Sequence, residues 1–354
     1  MNTRVILLLL LAGGCQLAPA QSTNDEPVLG FTADLDGDRA TVITALREKP
    51  ATFDSFSDRL DFIHDNLQLS LQKHVEKVDT IMDDGTVQRV PTPPSRFRLT
   101  PYFVAREDED FKLSLEPDFE MEVELPNLER HWKIFIESSR SDELPGIDPS
   151  EREQNTQIGI RNIWKDIIHT DVGIKATWVP KVFARADWRP KWEYKHTLIQ
   201  PLQRVFYESG DGIGSLTSLT IHRWFGSKNA AFWQSVSAAK YTTKTTDGLE
   251  MEQSLKLGWI TEVLESRWSW RNVLGSEDIA RGHTLRYSLF GHASSDLDQI
   301  DRHRLTYTYR TRIYKHWIYL EVSPGLEASD ENDWELASVL TVGIDMLFWG
   351  TYER

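Results

Sequence analysis

The run from Phe111 to Pro126, FKLSLEPDFEMEVELP, has an apolar residue or proline at every odd position and a polar one at every even position up to the closing proline. A period of two marks a strand with two unlike faces, because successive side chains leave a strand on opposite sides. One face carries Glu116, Asp118, Glu120, Glu122 and Glu124; the other carries Phe111, Leu113, Leu115, Phe119, Met121, Val123 and Leu125. The same rhythm returns along residues 96–349. Phe97, Leu99, Phe103 and Ala105 alternate with Arg98, Thr100, Tyr102 and Arg106, and Trp132, Ile134 and Ile136 with Lys133 and Glu137. Ala184, Ala186, Trp188, Trp192 and Tyr194 alternate with Arg185, Asp187, Arg189, Lys191, Glu193 and Lys195. Leu305, Tyr307 and Tyr309 oppose Arg304, Thr306, Thr308, Arg310 and Arg312; the last run sets Leu340, Val342, Ile344, Met346 and Phe348 against Thr341, Gly343 and Asp345. Residues 259–285 fit neither parity.

Upstream the period changes. Phe53, Phe56, Leu60, Ile63, Leu67, Leu71, Val75 and Val78 recur every three or four positions, which predicts an amphipathic helix over 52–82 with Thr52 as N-cap and Asp83-Asp84-Gly85 as its stop. Its polar face mixes both charges, so the helix packs on its own protein or on a second copy rather than lying on a membrane through a basic face. Pro91, Pro93 and Pro94 mark 83–95 as a linker, and 21–51 reads as a flexible polar lead. Within that lead Asp34-Leu35-Asp36-Gly37-Asp38 departs from the calcium-loop pattern in its glycine position and reads as a solvated turn.

The alternating runs are about ten residues or longer, whereas strands of soluble sheets average about five or six. Trp132, Trp164, Trp178, Trp192, Trp259 and Trp317 fall at the ends of apolar faces, where a membrane interface favours amphipathic rings. A sheet that crosses lipid must close, since an open edge leaves backbone groups without partners. The reading is therefore an all-β, closed antiparallel transmembrane β-barrel of about 12 to 14 strands, apolar outside and charged inside. A soluble secreted β-protein is the alternative, though no repeat of 20 to 50 residues is visible.

Composition narrows the function. The chain has 354 residues, 40% of them hydrophobic, and a net charge of −14. An acidic chain of pI about 5.2 lacks the basic footprint of a nucleic-acid binder. Mean hydropathy is −0.44, and no apolar run approaches the roughly 20 residues of a spanning helix. The N-terminus has a basic start, the apolar stretch VILLLLLA from Val5 to Ala12, and Ala18-Pro19-Ala20 before Gln21, the layout of a signal peptide over 1–20. Leu11-Ala12-Gly13-Gly14-Cys15 offers a second reading, lipidation at Cys15. Cleavage after Ala20 leaves a mature chain without cysteine.

Over residues 96–349 the pattern resembles Gram-negative outer-membrane β-barrel proteins, and the whole chain is similar to uncharacterised proteobacterial ones with a helical N-terminal segment. The run VLTVGIDMLF from Val339 to Phe348 resembles the closing strand that the barrel assembly machinery recognises, although Trp349 to Arg354 trail beyond it. The resemblance implies an outer-membrane location, contact with outer-membrane lipids and a periplasmic N-terminal segment; its helix is expected either below the pore or on a periplasmic partner, and 350–354 form a C-terminal tail that departs from the resemblance. It implies no particular function.

Candidate chemistry lies on the charged face. Glu116, Asp118, Glu120, Glu122 and Glu124 form an acidic wall; Arg185, Arg189, Lys191, Lys195, Arg304, Arg310 and Arg312 form basic ones. Facing walls of opposite sign suit a polar pore or solute site with a transverse field, or else a salt-bridged interior that plugs itself. His292-Ala293-Ser294 is similar to the His–Ser pair of outer-membrane phospholipases, but no fitting Asn follows and both residues would point inward. No catalytic residue, metal site or cofactor is assigned. Gly210-Asp211-Gly212-Ile213-Gly214 precedes no helix and reads as a loop. The expectations are a pore for small hydrophilic solutes, or an envelope hydrolase, or a plugged anchoring barrel. Ser138 to Asn155, Asp296 to Asp301 and Asn332-Asp333 are expected in outer loops, Asn127 to Arg130 and Lys315-His316 in periplasmic turns.

Overall fold

A computed structural model describes residues 56–82, 96–107, 112–124, 132–138, 143–145, 147, 156–165, 167–225, 231–244, 248–263, 279–293, 298–315 and 317–349. The expected leader, Cys15, lead, N-cap Thr52, linker and tail lie outside these residues, as do Ser294 and the turn at Asn127 to Arg130. Among the described residues one α-helix, α1 (Phe56–Met82), precedes the strands β1 (Arg96–Arg106), β2 (Lys112–Glu124), β3 (Trp132–Glu137), β4 (Thr156–Trp164), β5 (Ile168–Ala176), β6 (Lys181–Trp188), β7 (Trp192–Tyr194), β8 (Thr197–Glu208), β9 (Gly212–Phe225), β10 (Ala231–Thr242), β11 (Leu249–Val263), β12 (Ile279–Ala293), β13 (Asp298–Tyr314), β14 (Ile318–Ser329) and β15 (Leu336–Trp349). No described helix is long and apolar enough to cross a membrane.

Apart from β6 and β7, which both pair with β8, each strand pairs antiparallel with its sequence neighbours, and β1 pairs with β15 from Arg96↔Trp349 to Arg106↔Val339. That last pairing closes the sheet. β6 and β7 keep one register against β8, through Trp188↔Gln203 and Trp192↔Ile199. They are one stave broken at Arg189-Pro190-Lys191, where proline supplies no N–H to the ladder. Fifteen segments therefore make a closed barrel of 14 staves.

Burial alternates along the staves. In β6, Val182, Ala184, Ala186 and Trp188 are exposed on the outside while Phe183, Arg185 and Asp187 are buried within. The outer face carries exposed hydrophobics right round the ring, among them Val172, Ile174, Val205, Leu255, Leu305 and Leu340. The ambiguity at 259–285 has two causes. Ile260 is an apolar residue on the inward face, at the point where β11 slips register against β12, and 264–278 lie outside the described residues. β13 starts at Asp298, so Asp298–Asp301 belong to a strand rather than to an outer loop; the ladder with β12 extends to Ala293↔Asp298. Not every stave reaches ten residues either: β3 has 6.

At the rim where β1 begins and β15 ends, three hairpins share a local device. Lys165, Lys195 and Lys315 each have positive φ (52°, 53° and 40°), and each follows an aromatic residue. Tight hairpins need left-handed residues to match strand twist, and a lysine there costs about 1–2 kcal/mol. Each ammonium lies over the ring before it, 4.8 Å from Trp164, 5.2 Å from Tyr194 and 5.6 Å from Tyr314, which returns about 0.5–1 kcal/mol.

The helix binds at this same rim, on the outside. His64 lies between Trp317 (4.4 Å) and Phe348 (5.2 Å), and Leu60 and Leu67 pack on a cluster that includes Trp317, Ile318 and Phe348. Phe97 and Leu99 of β1 join the cluster. The helix thus spans the seam that β1 and β15 close, and its docking surface exists only once that seam has formed. Trp317 is 4% exposed beneath α1 and does not stand in an exposed belt, unlike Trp164, Trp192 and Trp259. Polar contacts flank the cluster: Tyr314 donates to the Ser57 carbonyl at 3.2 Å, and Lys315 pairs with Asp61. The Asp61 carboxylate holds the Lys315 ammonium above the ordinary lysine range. An exposed pair contributes about 0–1 kcal/mol, whereas truncating a buried Trp costs about 3–5 kcal/mol. Trp317→Ala is accordingly expected to undock α1, seen as faster trypsin cleavage at Arg59 and Lys73 with the barrel intact, while Lys315→Gln leaves the cleavage rate nearly unchanged.

Candidate pore and its lining

The inward face is built in layers on β3 to β6. Phe135, Gly159, Gly173 and Phe183 lie in one row across the four strands. A Cβ on Gly159 would stand 2.7 Å from the Phe135 ring, so the glycine gives the ring room to lie flat on the backbone. Guanidiniums stack above the rings: Arg161 is 4.7 Å and Arg185 5.2 Å from the Phe135 centroid. Carboxylates complete the layer. Asp171 accepts from Arg161 at 2.9 Å and from Arg185 at 2.5 Å, and Glu137 accepts from Arg185 at 2.8 Å. Tyr102 opposite Gly343 and Phe232 opposite Gly258 repeat the ring-on-glycine pairing elsewhere.

The other charges follow the same rule of pairing sideways. Asp345 takes both Nε and Nη2 of Arg98 at 2.8 Å, the Thr100 hydroxyl at 2.9 Å, and Arg310. Arg310 also reaches Glu321 at 3.3 Å. Glu327 holds Arg304, and Arg106 at 2.8 Å. Asp187 takes Arg204 at 2.6 Å and Arg189 at 2.9 Å; Glu208 takes Lys175, and Lys181 at 3.4 Å. Arg312 pairs with Glu262 at 3.0 Å.

The acidic stave of β2 fits the same scheme. Its even residues stand in register with inward positions of β1, Glu122 opposite Arg96, Glu120 opposite Arg98, Asp118 opposite Thr100 and Glu116 opposite Tyr102. Glu122 is 3.3 Å from Lys133 and 3.7 Å from Arg161, and Asp118 accepts from Ser138 at 2.5 Å. Glu124 lies opposite Lys133. Among the described residues the two signs are interleaved on neighbouring staves rather than set on facing walls. Adjacent staves lie about 4.8 Å apart, within reach of an ion pair. Two of the expected lining residues are off the wall: Lys195 occupies the β7–β8 turn over Tyr194, and Lys191 sits in the break between β6 and β7.

Two apolar patches interrupt the charge. Trp224, Phe232 and Ile260 cluster on the inside with His222, which stacks on Phe232 at 4.7 Å. The second patch shows why the long β3–β4 loop is not simply an outer one. Leu144, 5% exposed, packs with the inward residues Leu216, Ala238 and Phe290, and Ile147 and Leu202 lie against them. Those residues belong to β8, β9, β10 and β12, on the far side of the ring from β3 and β4. Leu144 and Ile147 therefore lie inside the ring, against the wall opposite their own strands. Ile147 donates to the Leu144 carbonyl at 3.2 Å, closing a four-residue turn over Pro145 that presents both apolar side chains. The signal in the sequence is Leu144-Pro145-Gly146-Ile147, a small apolar island in an otherwise charged loop.

His292 faces inward and contacts Asp301 at 2.9 Å, so the carboxylate beside it comes from β13. Among the described residues no group of three His, Cys, Asp or Glu could hold a metal ion.

No protein-family model matches this sequence, and no curated protein matches it. Among solved structures, similar ones include a bacterial polysaccharide outer-membrane secretin (10% identity, TM-score 0.40, covering 73% of this chain and 98% of that one). OprD from Pseudomonas aeruginosa (6%, 0.40, 72% and 93%) and OccK8 (OprE) from the same organism (7%, 0.41, 73% and 98%) are others.

Proposed function

We propose that the chain is a pore of the Gram-negative outer membrane, passing small hydrophilic solutes through a charged lumen, with both termini and α1 on the periplasmic side. The closed ring of 14 staves, apolar outside and ionic inside, carries this reading. Barrels of 8 staves are filled by their own side chains and those of 16 to 18 hold aqueous channels. Fourteen fall between, so an inserted loop has enough room to narrow the passage without filling it. The laterally paired lining favours polar solutes of modest net charge, since each ion pair presents both a donor and an acceptor edge. Before β1 pairs with it and closes the ring, the edge of β15 is the surface offered to the barrel assembly machinery.

The test is conductance across planar bilayers. Folded protein is expected to give discrete steps that grow with salt concentration; a folded, inserted barrel without steps overturns the pore. Leu144 and Ile147, seated inside the ring, favour a second reading, a sealed barrel that anchors α1. In that case the full chain is silent and stays silent when the loop is shortened.

A further inference from the structure

α1 has more apolar surface than the barrel covers. Around the helix at about 100° per residue, side chains succeed one another in a fixed order. Asp61 and Ser57 meet Lys315 and Tyr314; His64, Leu60 and Leu67 grip the barrel. The next strip holds Phe56 and Ile63, two turns apart on one line, and these are 76% and 51% exposed. Arg59, also exposed, follows on the next flank, and Asp58 lies on the far side. The uncovered strip continues a surface already described. The barrel residues beside α1, namely Leu99, Ile344 and Met346, belong to the outward apolar band, which runs on to exposed Phe103 and Leu340.

We propose that α1 lies in the plane of the membrane interface on the periplasmic leaflet. It is bound to the barrel along one strip, and along the adjacent strip inserts Phe56 and Ile63 among the acyl chains. The partner is phospholipid, and Arg59 is placed to reach its phosphate while its aliphatic stem stays apolar. A basic face is not needed for such a helix, because the barrel supplies half of its attachment. Since the docking surface spans β1 and β15, the helix ties the closing seam to the bilayer. The inference rests on the reading that the outward band meets lipid.

Three single-cysteine proteins separate the two ideas. In full-length protein carrying Cys15→Ser, Ile63→Cys, Asp58→Cys and Leu255→Cys are made singly and labelled with an environment-sensitive fluorophore. Each is refolded into phosphatidylcholine–phosphatidylglycerol vesicles with or without brominated acyl chains. The probes at 63 and 255 are expected to be quenched severalfold more by bromine than the probe at 58. Quenching at 255 with none at 63 overturns the interfacial helix and leaves the barrel reading standing. A blue-shifted but unquenched probe at 63 also overturns it, because protein and not lipid then covers the strip. No quenching at 255 overturns both.

Discussion

Excising residues 141–148 and rejoining β3 to β4 with a short polar turn is expected to raise single-channel conductance severalfold without unfolding the barrel. The segment holds Leu144 and Ile147 against Leu202, Leu216, Ala238 and Phe290 on the opposite side of the ring, so its removal takes both side chains out of the interior. The barrel itself is held by ladders that the excision leaves untouched, β3 with β4 included. Leu144, Ile147 and one turn hydrogen bond attach the segment to the far wall, few enough contacts that it leaves the wall often enough to be seen. Leu144→Asp places a carboxylate against that patch and is expected to convert steady steps into rapid flickering between two conductance levels. Unchanged steps in both variants would mean that the loop does not border the conducting path.

The parts of this structure that were legible in the sequence are those in which one side chain's environment is set by its own strand. The inside–outside parity of β1, β2, β6 and β15 could be read residue by residue, because the outside of the ring accepts hydrocarbon and the inside accepts charge. Length and closure followed from the same contrast. Features that depend on a neighbour were not legible. Asp345 looks like any inward polar residue until its pairing places Arg98 and Arg310 beside it. Phe135 and Phe183 read as breaks in the polar face, and only the register shows that they flank a row of two glycines. Pro190 hides the continuity of β6 and β7, since a strand signal that stops and restarts counts as two. The expectation of opposed walls failed for a related reason. The basic runs were read one strand at a time, yet Arg304 and Arg310 of β13 find Glu327 and Glu321 on the next stave, β14, and Arg185 of β6 finds Asp171 on β5. The docked helix was foreseeable as a packed helix, but its site combines β1, the β13–β14 turn and β15, which no local pattern announces.

Asp345→Ala should be the most damaging single substitution in the lining, because of where that carboxylate sits. Its side chain is 0% exposed and it ties together three staves, taking Arg98 and Thr100 from β1 and Arg310 from β13 while itself on β15. Arg98 binds across the closing seam, so the loss falls on the pairing that makes the sheet a ring. Removing one partner of a buried ion pair leaves an uncompensated charge and costs about 3–5 kcal/mol. Glu321 still reaches Arg310, which places the expected loss at the lower end of that range. The urea midpoint of barrel unfolding in detergent should fall accordingly, and the lumen, one negative charge poorer, should shift its reversal potential toward anions. Replacing the seam pair by hydrocarbon separates the two effects. In Arg98→Leu/Asp345→Leu the charge at the seam disappears with its partner, and apolar replacements of buried pairs are often neutral or better. Much of the lost stability should return there, while net lumen charge equals that of the parent and the reversal potential returns with it. A double variant as unstable as Asp345→Ala would show that the carboxylate's own hydrogen bonds, to Thr100 and Arg310, hold the seam more than its pairing with Arg98 does.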